Sequence, residues 1–390
     1  MTVKLYDTDS YLSEFDCKVT SLYSDEDYIY IETDRTAFFP EGGGQTCDKG
    51  SFDGINVENI QIIDSKIVHF VKNSEENAEK IKQNAILHGK IDMKKRFSDM
   101  QQHSGEHIFS GIVNSLYGYN NVGFHLGSEI VTLDFDGEMG EDDICKVESL
   151  VNEAIWNNLE IKILLPSQEE LAGIKYRSKI EIEGQVRIVE IPGVDVCACC
   201  APHVKYTGEI GIVRVVNFER YKGGTRVSIL CGERALLDLR HKLKQNRLVS
   251  NLTSAKQDET AAAVERLKNE NDKLKYDLIG MTRDFLTLKS QSIDEAEKII
   301  IFDEKLQGKL LQDFTLSLMD KAGRFAACFC GEKGSYRYCI VSNKVNLQSM
   351  AKSLNSRFSG RGGGKPEIIQ GSLTAESEES IREFLENFEI

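Results

Sequence analysis

Hydrophobic and polar residues alternate along the first 90 residues in the manner of β-strands. Two pairs of short segments stand out, in which β-branched and aromatic residues lie between Asp and Ser breaks. They are Val19–Tyr23, Tyr28–Thr33, Ile60–Ile63 and Lys66–Val71. We therefore expect residues 1–90 to form a β-rich, barrel-like domain.

The pattern changes to helical spacing at about residue 91. Apolar positions recur every three or four residues over Arg96–Leu116 and again over Asp142–Asn158, which predicts two amphipathic helices. Strands are predicted at Val186–Ile191, Ile212–Phe218 and Thr225–Cys231. Residues 91–232 are thus predicted to form a second, α+β domain.

Residues 233–292 contain no proline and are predicted to form one or two long helices. Apolar residues repeat every seven positions over four heptads, the pattern of coiled-coil a and d positions. The a positions are Val264, Asn271, Leu278 and Phe285, and the d positions are Leu267, Leu274, Met281 and Leu288. This seam could pair with a second subunit, or fold back on the helix that precedes Asn251.

From residue 293 to 390 strands and helices alternate, which predicts a C-terminal α/β domain. Strands are predicted at 298–302, 325–330 and 336–341, and helices at 306–319, 347–357 and 378–388. A glycine-rich basic segment, Gly360–Pro366, is predicted to be a loop.

Composition changes this picture in three ways. No segment approaches 18 uncharged apolar residues, which excludes a helical membrane span. The first residues lack the apolar core of a signal peptide, so the ten cysteines point to a reducing, cytoplasmic environment. The net charge of −14 hides a basic block from Lys205 to Arg247, with ten Lys and Arg against four acids, and another at Lys352–Lys365. These blocks favour a polyanionic partner.

Four residues form two metal-ligand pairs. His103 and His107 are four positions apart, as are Cys199 and His203, and on a helix this spacing places both side chains on one face. Three imidazoles and a thiolate suit zinc better than magnesium or calcium, which prefer oxygen. The alternative is that the histidines are ordinary surface residues, but the chain has only seven histidines and three would have to fall into this spacing by chance.

The ordered motifs resemble the AlaX family, free-standing relatives of the editing domain of alanyl-tRNA synthetase, in its long form. The matching stretches are Thr36–Gln45 with Asp48 and Gly50, His103–His107, Cys199–Val204, Thr207–Gly211, and Gly362–Pro366 with Gln370 and Gly371. The last stretch looks like a DHHA1 domain. This resemblance implies a zinc-containing editing domain over 91–232 and a tRNA-binding DHHA1 domain over 293–390.

What the resemblance implies for function is hydrolysis, in trans, of a wrong amino acid from tRNA(Ala), chiefly serine, with glycine as a second substrate. Zn²⁺ would be held by His103, His107, Cys199 and His203. The opposite wall of the pocket would be formed by Thr36, Gly42, Gly43, Gly44 and Gln45. Arg361, Gly362, Gly363, Gly364 and Lys365 would contact tRNA. Independently of the resemblance, the heptad pattern of the helical segment favours a homodimer.

The chain departs from the family at one motif. The usual Cys-Gly-Gly-Thr-His is here Cys199-Cys200-Ala201-Pro202-His203, and Cys197 is also close, so Cys200 or Cys197 could compete as ligand. Glu106, directly before His107, would point off the metal face and is not expected to be catalytic. The alternatives for function are a non-catalytic tRNA-binding protein with structural zinc, and a DHHA1-type phosphodiesterase, whose Asp-His-His signature is absent from the sequence.

Overall fold

A computed structural model describes residues 2–178, 185–332 and 334–389. The chain divides into two compact units, Met1–Leu248 and Val249–Ile390, and each is described by itself. Among the described residues, no helix is long and apolar enough to cross a membrane.

The first part of unit 1 is a closed six-stranded barrel. In chain order its elements are β1 (Val3–Lys4), β2 (Glu14–Ser24), β3 (Tyr28–Thr33), β4 (Arg35–Thr36), β5 (Gly50–Phe52), β6 (Ile55–Ile63), β7 (Lys66–Lys72), α1 (Glu75–Lys80) and β8 (Ile86–Ile91). The barrel order is β2-β3-β7-β6-β5-β8, and β1 pairs with β4 outside it. Alternate residues of these strands, such as Val19, Ile31 and Ile60, are buried in the barrel core.

The second part of unit 1 surrounds one long helix. Its elements are α2 (Met93–Tyr117), β9 (Asn121–Leu126), β10 (Val131–Phe135), α3 (Glu141–Trp156), β11 (Lys162–Leu164), α4 (Gln168–Leu171), β12 (Ile188–Ile191), β13 (Asp195–Ala198), β14 (Val213–Tyr221) and β15 (Gly224–Cys231). Two sheets form, β14-β15-β10-β9 and β11-β12-β13. The Asp92 carboxylate caps the start of α2, and Gly118 ends it at φ 73°.

Glycines let α2 pack closely against both sheets. A Cβ on Gly105 would lie 2.5 Å from the sulfur of Cys231, and a Cβ on Gly111 would lie 2.5 Å from the carbonyl oxygen of Val194. Nearly every residue of α2 from Asp99 to Gly111 is buried. The strand predicted at Val186–Ile191 is followed by β13, its hairpin partner, and Cys199 comes directly after β13.

Unit 2 contains helices and one mixed sheet. Its elements are α6 (Thr260–Gln291), β16 (Ala296–Phe302), α7 (Lys309–Ser317), β17 (Ala322–Glu332), β18 (Ser335–Val341), α8 (Gln348–Arg357), β19 (Arg361–Lys365), β20 (Ile368–Leu373) and α9 (Glu378–Glu386), and α5 (Gly232–Thr253) runs across the unit boundary. The sheet order is β16-β17-β18-β20-β19. Only β16 and β17 are parallel.

The predicted loop at Arg361–Lys365 is instead β19, a strand at the edge of this sheet. Gly362 and Gly371 are cross-strand partners, and Gly371 is in turn the partner of Tyr338. The hydroxyl of Tyr338 would lie 2.4 Å from a Cβ on Gly362 and 3.0 Å from one on Gly371. These two glycines therefore leave room for a buried tyrosine, a long-range packing reason that glycine content alone does not reveal.

Candidate metal centre and substrate pocket

The four predicted ligands come together in the interior of unit 1. Their donor atoms all lie within 4.8 Å of one another. His103 and His107 lie on the same face of α2, whereas Cys199 and His203 lie in the segment after β13. The sulfur of Cys199 is 3.4 Å from Nε2 of His103 and 3.4 Å from Nε2 of His203.

The second ring nitrogen of each histidine has its own partner. Nδ1 of His103 is 2.7 Å from Oε1 of Gln45, and Nδ1 of His107 is 3.0 Å from Oδ2 of Asp195. Nδ1 of His203 is 3.0 Å from the hydroxyl of Ser104. When Nδ1 carries the hydrogen, Nε2 presents a lone pair, which is the arrangement that outer partners impose on metal-binding histidines.

These distances fit a zinc ion. With Zn–S near 2.3 Å and Zn–N near 2.0 Å, two ligands of a tetrahedral site should be about 3.5 Å apart, close to the sulfur–nitrogen distances of this cluster. His103, His107 and His203 are each 2–3% exposed, so a bound cation would be shielded from water. The residues present therefore fit Zn²⁺.

Electrostatics favour a thiolate at Cys199. Burial alone would raise its pKa, but His103, with His107 and His203, holds the pKa well below its usual range. Burial lowers the pKa of His203 to about 3, which keeps that imidazole neutral. A thiolate at Cys199 and a neutral imidazole at His203 are ligand forms that bind zinc.

Of the three neighbouring cysteines, only Cys199 joins this four-residue group. Cys200 is exposed, and Cys197 lies in a second group with His107 and Asp195. In that second group, both oxygens of Asp195 are engaged by the guanidinium of Arg177 at 2.8 and 2.9 Å. The geometry thus favours Cys199 as ligand.

Arg187 fixes the backbone of Cys199–His203, the segment whose sequence differs from the family's Cys-Gly-Gly-Thr-His. Its carbonyl accepts from the backbone N–H of Cys199, and its Nη1 donates to the carbonyls of Cys199 and Ala201 at 2.8 and 3.0 Å. The N–H of Ala201 points to the sulfur of Cys199 at 3.4 Å. One arginine therefore fixes both sides of the turn that presents the thiolate.

The glycine-rich loop places Gln45 next to His103 of the cluster. Gly43 and Gly44 have φ of 60° and 81°, conformations that other residues rarely adopt. A Cβ on Gly44 would lie 2.5 Å from the carbonyl of Phe124, and its own carbonyl accepts from the N–H of Leu126. Within the described part of the chain, Nε2 of Gln45 is buried without a hydrogen-bond partner, so it is a spare donor beside His103.

Thr36, in β4, is buried against the barrel strand β7, and its hydroxyl is already engaged. Oγ1 of Thr36 is 2.9 Å from Nε2 of His69 and accepts from the N–H of Phe38. Nδ1 of His69 is 3.0 Å from the carbonyl of Ile31, so Nδ1 donates and Nε2 accepts the Thr36 hydrogen. Thr36 is fully buried, and a contact with substrate would require its hydroxyl to exchange this bond.

A buried ion pair joins the Thr36–Asp48 segment to α2, the helix that carries His103 and His107. Arg96, on α2, has no exposed surface and donates through Nε to Oδ1 of Asp48 at 2.8 Å and through Nη2 to Oδ2. It also donates to the carbonyls of Ser10 and Ala37. Asp48 in turn accepts from the N–H of Phe39. The barrel loop and the helix are held in one geometry.

Glu106 is buried, and its carboxylate contacts structural partners. Oε1 accepts from the hydroxyl of Ser110 and from Nδ2 of Asn121, each at 2.7 Å. These bonds tie α2 to the start of β9. Its Oε2, however, lies 3.9 Å from Nε2 of His107, so the carboxylate is closer to the predicted ligand set than its position in the motif suggested.

The basic block at Lys205–Arg247 is less positive in the structure than in the sequence. Several of its residues pair with acids, three of which come from outside the block. The pairs are Arg220 with Glu138, Arg226 with Asp134, Arg234 with Asp99, and Lys242 with Asp238. By contrast, all five residues of β19, Arg361–Lys365, are exposed.

Comparison with known proteins agrees with this architecture. A family model described as the threonyl and alanyl tRNA synthetase second additional domain matches residues 186–228, and a DHHA1 domain model matches residues 296–389. Alanyl-tRNA editing protein AlaX-L of Pyrococcus horikoshii is 28% identical, and the alignment covers 97% of this chain and 96% of that protein. Over nearly its whole length, the chain therefore resembles the long-form AlaX protein.

Two further relatives define how much of the AlaX architecture is shared. Alanyl-tRNA editing protein Aarsd1 of Danio rerio is 24% identical, with 94% of this chain and 93% of that protein aligned. Alanine–tRNA ligase of Pyrococcus abyssi is 28% identical over 95% of this chain, but over only 42% of the ligase. The aligned chain thus corresponds to less than half of that ligase.

Sequence reasoning missed the partners that orient the histidines of this cluster. Asp195 and Arg177 lie 88 and 70 residues from His107 along the chain, and no spacing rule connects them. Ser104 lies inside the His103–His107 motif but was not predicted to contact His203. Arg187 precedes β12 and showed no signal of its role.

Proposed function

We propose that this protein is a trans-editing hydrolase that removes wrongly attached amino acids from tRNA(Ala). Ser-tRNA(Ala) is the expected main substrate and Gly-tRNA(Ala) a second one. The observation that carries the proposal is the buried cluster of three histidines and a cysteine, next to a spare amide donor on Gln45. The names of relatives that align over the whole chain support the same activity.

His103, His107, Cys199 and His203 would hold the zinc ion. Bound zinc can polarise a carbonyl or lower the pKa of a water molecule towards neutrality. If all four residues bind at once the tetrahedral site is closed, so a fifth position, a displaced ligand or a substrate-positioning role remain alternatives. The experiment below does not depend on which of these applies.

Gln45 would orient the ester. Its Oε1 is committed to Nδ1 of His103, whereas its Nε2 can donate to an ester carbonyl or a seryl hydroxyl. Gly42, Gly43 and Gly44 would let the backbone approach the substrate closely, since two of them adopt positive φ. A donor that pairs with a substrate hydroxyl discriminates strongly against an analogue lacking that hydroxyl.

The decisive experiment is a deacylation assay with tRNA(Ala) charged with Ser, Gly or Ala. We expect fast hydrolysis of the seryl ester, sparing of the alanyl ester, and loss of activity in His103→Asn. His88→Asn is the matched control, because His88 lies on the barrel surface with Asp16 as its partner. A protein that binds tRNA(Ala) and zinc but hydrolyses none of the three esters would instead be a tRNA-binding protein with structural zinc.

Thr36→Val tests the selectivity of the pocket. The substitution keeps the β-branched shape and removes the hydroxyl that contacts His69. If this hydroxyl contributes to selectivity, the ratio of seryl to alanyl deacylation rates falls more than tRNA binding does. An unchanged ratio would limit Thr36 to its hydrogen bond with His69.

The exposed strand β19 would contribute to tRNA binding. Arg361 and Lys365 flank three exposed glycines, which leaves their backbone open to a phosphate. Arg361→Ser and Lys365→Ser should each weaken tRNA binding and reduce the slope of affinity against salt by about one counterion. Lys273→Ser, on the exposed surface of α6, is the control. Undiminished affinity and slope in both β19 variants would remove this strand from the interface.

The exposed face of α6 would pair with a second copy of the chain. The apolar a and d residues are 48–71% exposed. Lysines occupy e positions and acids occupy g positions, so g–e′ contacts attract in a parallel pair, whereas like charges meet in an antiparallel one. The e lysines are Lys268, Lys275 and Lys289, and the g acids are Glu270, Asp277 and Asp284.

Sedimentation tests this assembly. Leu274→Glu places a charge in the seam and should convert a dimer to a monomer. Tyr276→Glu, two positions along and 77% exposed, lies outside the seam and should leave the dimer intact. A monomeric wild-type protein would overturn the dimer without affecting the proposed chemistry.

A further inference from the structure

Two overlapping sets of ligand atoms share His107. One set is His107 with His103, Cys199 and His203, and the other is His107 with Asp195 and Cys197. Carboxylate, imidazole and thiolate are all zinc ligands, so the second set could in principle compete for an ion. Arg177 contacts Asp195 directly and so affects whether this carboxylate is available to an ion.

Arg177 forms a bidentate ion pair with Asp195. Its Nε donates to Oδ1 at 2.8 Å and its Nη2 donates to Oδ2 at 2.9 Å. Both carboxylate oxygens are thereby engaged by a cation, and Oδ2 also accepts from Nδ1 of His107 at 3.0 Å. Bidentate, charge-assisted contacts of this kind are among the stronger hydrogen bonds in proteins and fix the carboxylate plane.

The backbone holds Arg177 in place independently of its side chain. Its N–H donates to the carbonyl of Val196 and its carbonyl accepts from the N–H of Ala198, so residue 177 pairs beside β13. From the opposite side, Gly111 of α2 packs against Asp195, where a Cβ would lie 2.7 Å from that of Asp195. Asp195, the first residue of β13, is consequently held by contacts with both α2 and Arg177, and its side chain is 2% exposed.

We propose that Arg177 is a positioning residue that keeps Asp195 out of the metal's ligand set and commits it to orienting His107. A metal ion that bound Asp195 would have to displace a guanidinium and break two hydrogen bonds. With Asp195 occupied, His107 keeps its Nδ1 hydrogen and directs Nε2 towards Cys199. This inference rests on the proposed zinc centre and concerns which side chains bind the ion.

The test replaces zinc with Co²⁺, whose visible absorption reports ligand identity and geometry. Arg177→Met should shift the d–d and sulfur-to-cobalt bands, and adding Asp195→Asn should largely reverse the shift, because a carboxylamide is a poor ligand. Arg177→Lys, which keeps the charge, should stay close to wild type. By chelator competition, Asp195→Asn alone should lower zinc affinity about 10- to 100-fold, the usual effect of losing an outer-shell partner.

Arg226→Met is the matched control. Arg226 grips Asp134 with the same pair of nitrogens at 2.6 and 2.8 Å and is 30% exposed, against 20% for Arg177. Asp134 has no place in either ligand set. Because the Asp134 side chain is 19% exposed and that of Asp195 only 2%, this control should lose less stability than Arg177→Met in the metal-free protein, and its cobalt spectrum should stay that of wild type.

The possible failures are distinguishable. A wild-type protein that binds neither zinc nor cobalt would overturn the proposed centre, and this inference with it. A wild-type protein that binds one equivalent, with an Arg177→Met spectrum and affinity equal to those of Arg226→Met, would overturn only the role of Arg177. A spectral shift that persists with Asp195→Asn would show that Asp195 is not the competing ligand.

Discussion

Removing the charge of Arg96 should destabilise unit 1 severely. Arg96→Met keeps the apolar stem but deletes all four hydrogen bonds of the guanidinium, two to Asp48 and one each to the carbonyls of Ser10 and Ala37. The Asp48 side chain, 1% exposed, would remain as a buried carboxylate that accepts a hydrogen bond from the N–H of Phe39. Water cannot reach the site to replace the lost partner.

The magnitude follows from this burial. Deleting one partner of a buried ion pair costs about 3–5 kcal/mol, because the other charge stays desolvated. For a unit of this size, about 1 kcal/mol lowers Tm by about 2–4 °C, so the expected decrease is about 6–20 °C. The double variant Arg96→Met/Asp48→Asn should recover much of the loss, since a neutral amide still accepts from Phe39 without leaving a charge.

The assay is urea and thermal unfolding followed by far-ultraviolet circular dichroism. Arg220→Met is the control, because Arg220 and Glu138 form an ion pair with side chains 81% and 56% exposed. Such pairs contribute about 0–1 kcal/mol. A loss of less than about 1 kcal/mol in Arg96→Met, or a double variant no more stable than the single one, would refute the reasoning.

Three further variants test separate features. Gly105→Ala should destabilise unit 1 and weaken zinc binding, because its Cβ would press on Cys231 and move α2; unchanged melting and affinity would contradict this. Burial lowers the pKa of His69 to about 4, below its value in the unfolded chain. The unfolded chain therefore binds more protons in this range. Through His69, the free energy of unfolding of the wild-type protein should fall by about 3 kcal/mol between pH 6.5 and 4. This acid-side loss should be smaller in His69→Asn, as measured by unfolding at several pH values. Tyr338→Phe removes a buried hydroxyl that has no partner in the described chain, so Tm should stay constant or rise, and a clear decrease would reveal a missing partner.

Local patterns allowed much of the fold to be predicted. The strands β2, β3, β6 and β7 and the helices α2 and α3 follow from periodicity within one segment. The pair His103 and His107 was recognisable because positions four apart share one face of α2, whereas Cys199 and His203 have the same spacing but lie outside any helix. These features depend on neighbours in sequence, which is the information that a single chain carries most clearly.

Features that depend on distant neighbours could not be predicted in the same way. The glycines of β19 read as a flexible loop, but they accommodate Tyr338 from another strand. The basic block near Arg226 read as a positive surface, but Asp134 and Glu138 approach it through the fold. β13 was not predicted because the strand is only four residues long and contains both polar and apolar residues.

The predicted metal cluster is held by contacts from several elements because of where it lies in unit 1. The cluster lies between two hydrophobic cores of unit 1, and Cys199 packs against both. On one side Ala201 is buried in the barrel core, and on the other Val204 is buried in the core around α2.

A ligand loop between two cores must match both surfaces. Ala201 supplies a methyl group to the barrel core that a glycine at this position lacks, and Pro202 restricts the backbone of the turn. Arg187 then fixes the carbonyls on either side of Cys200. The Cys-Cys-Ala-Pro-His sequence can therefore present a thiolate without the flexibility of two glycines, because packing and one arginine set the turn.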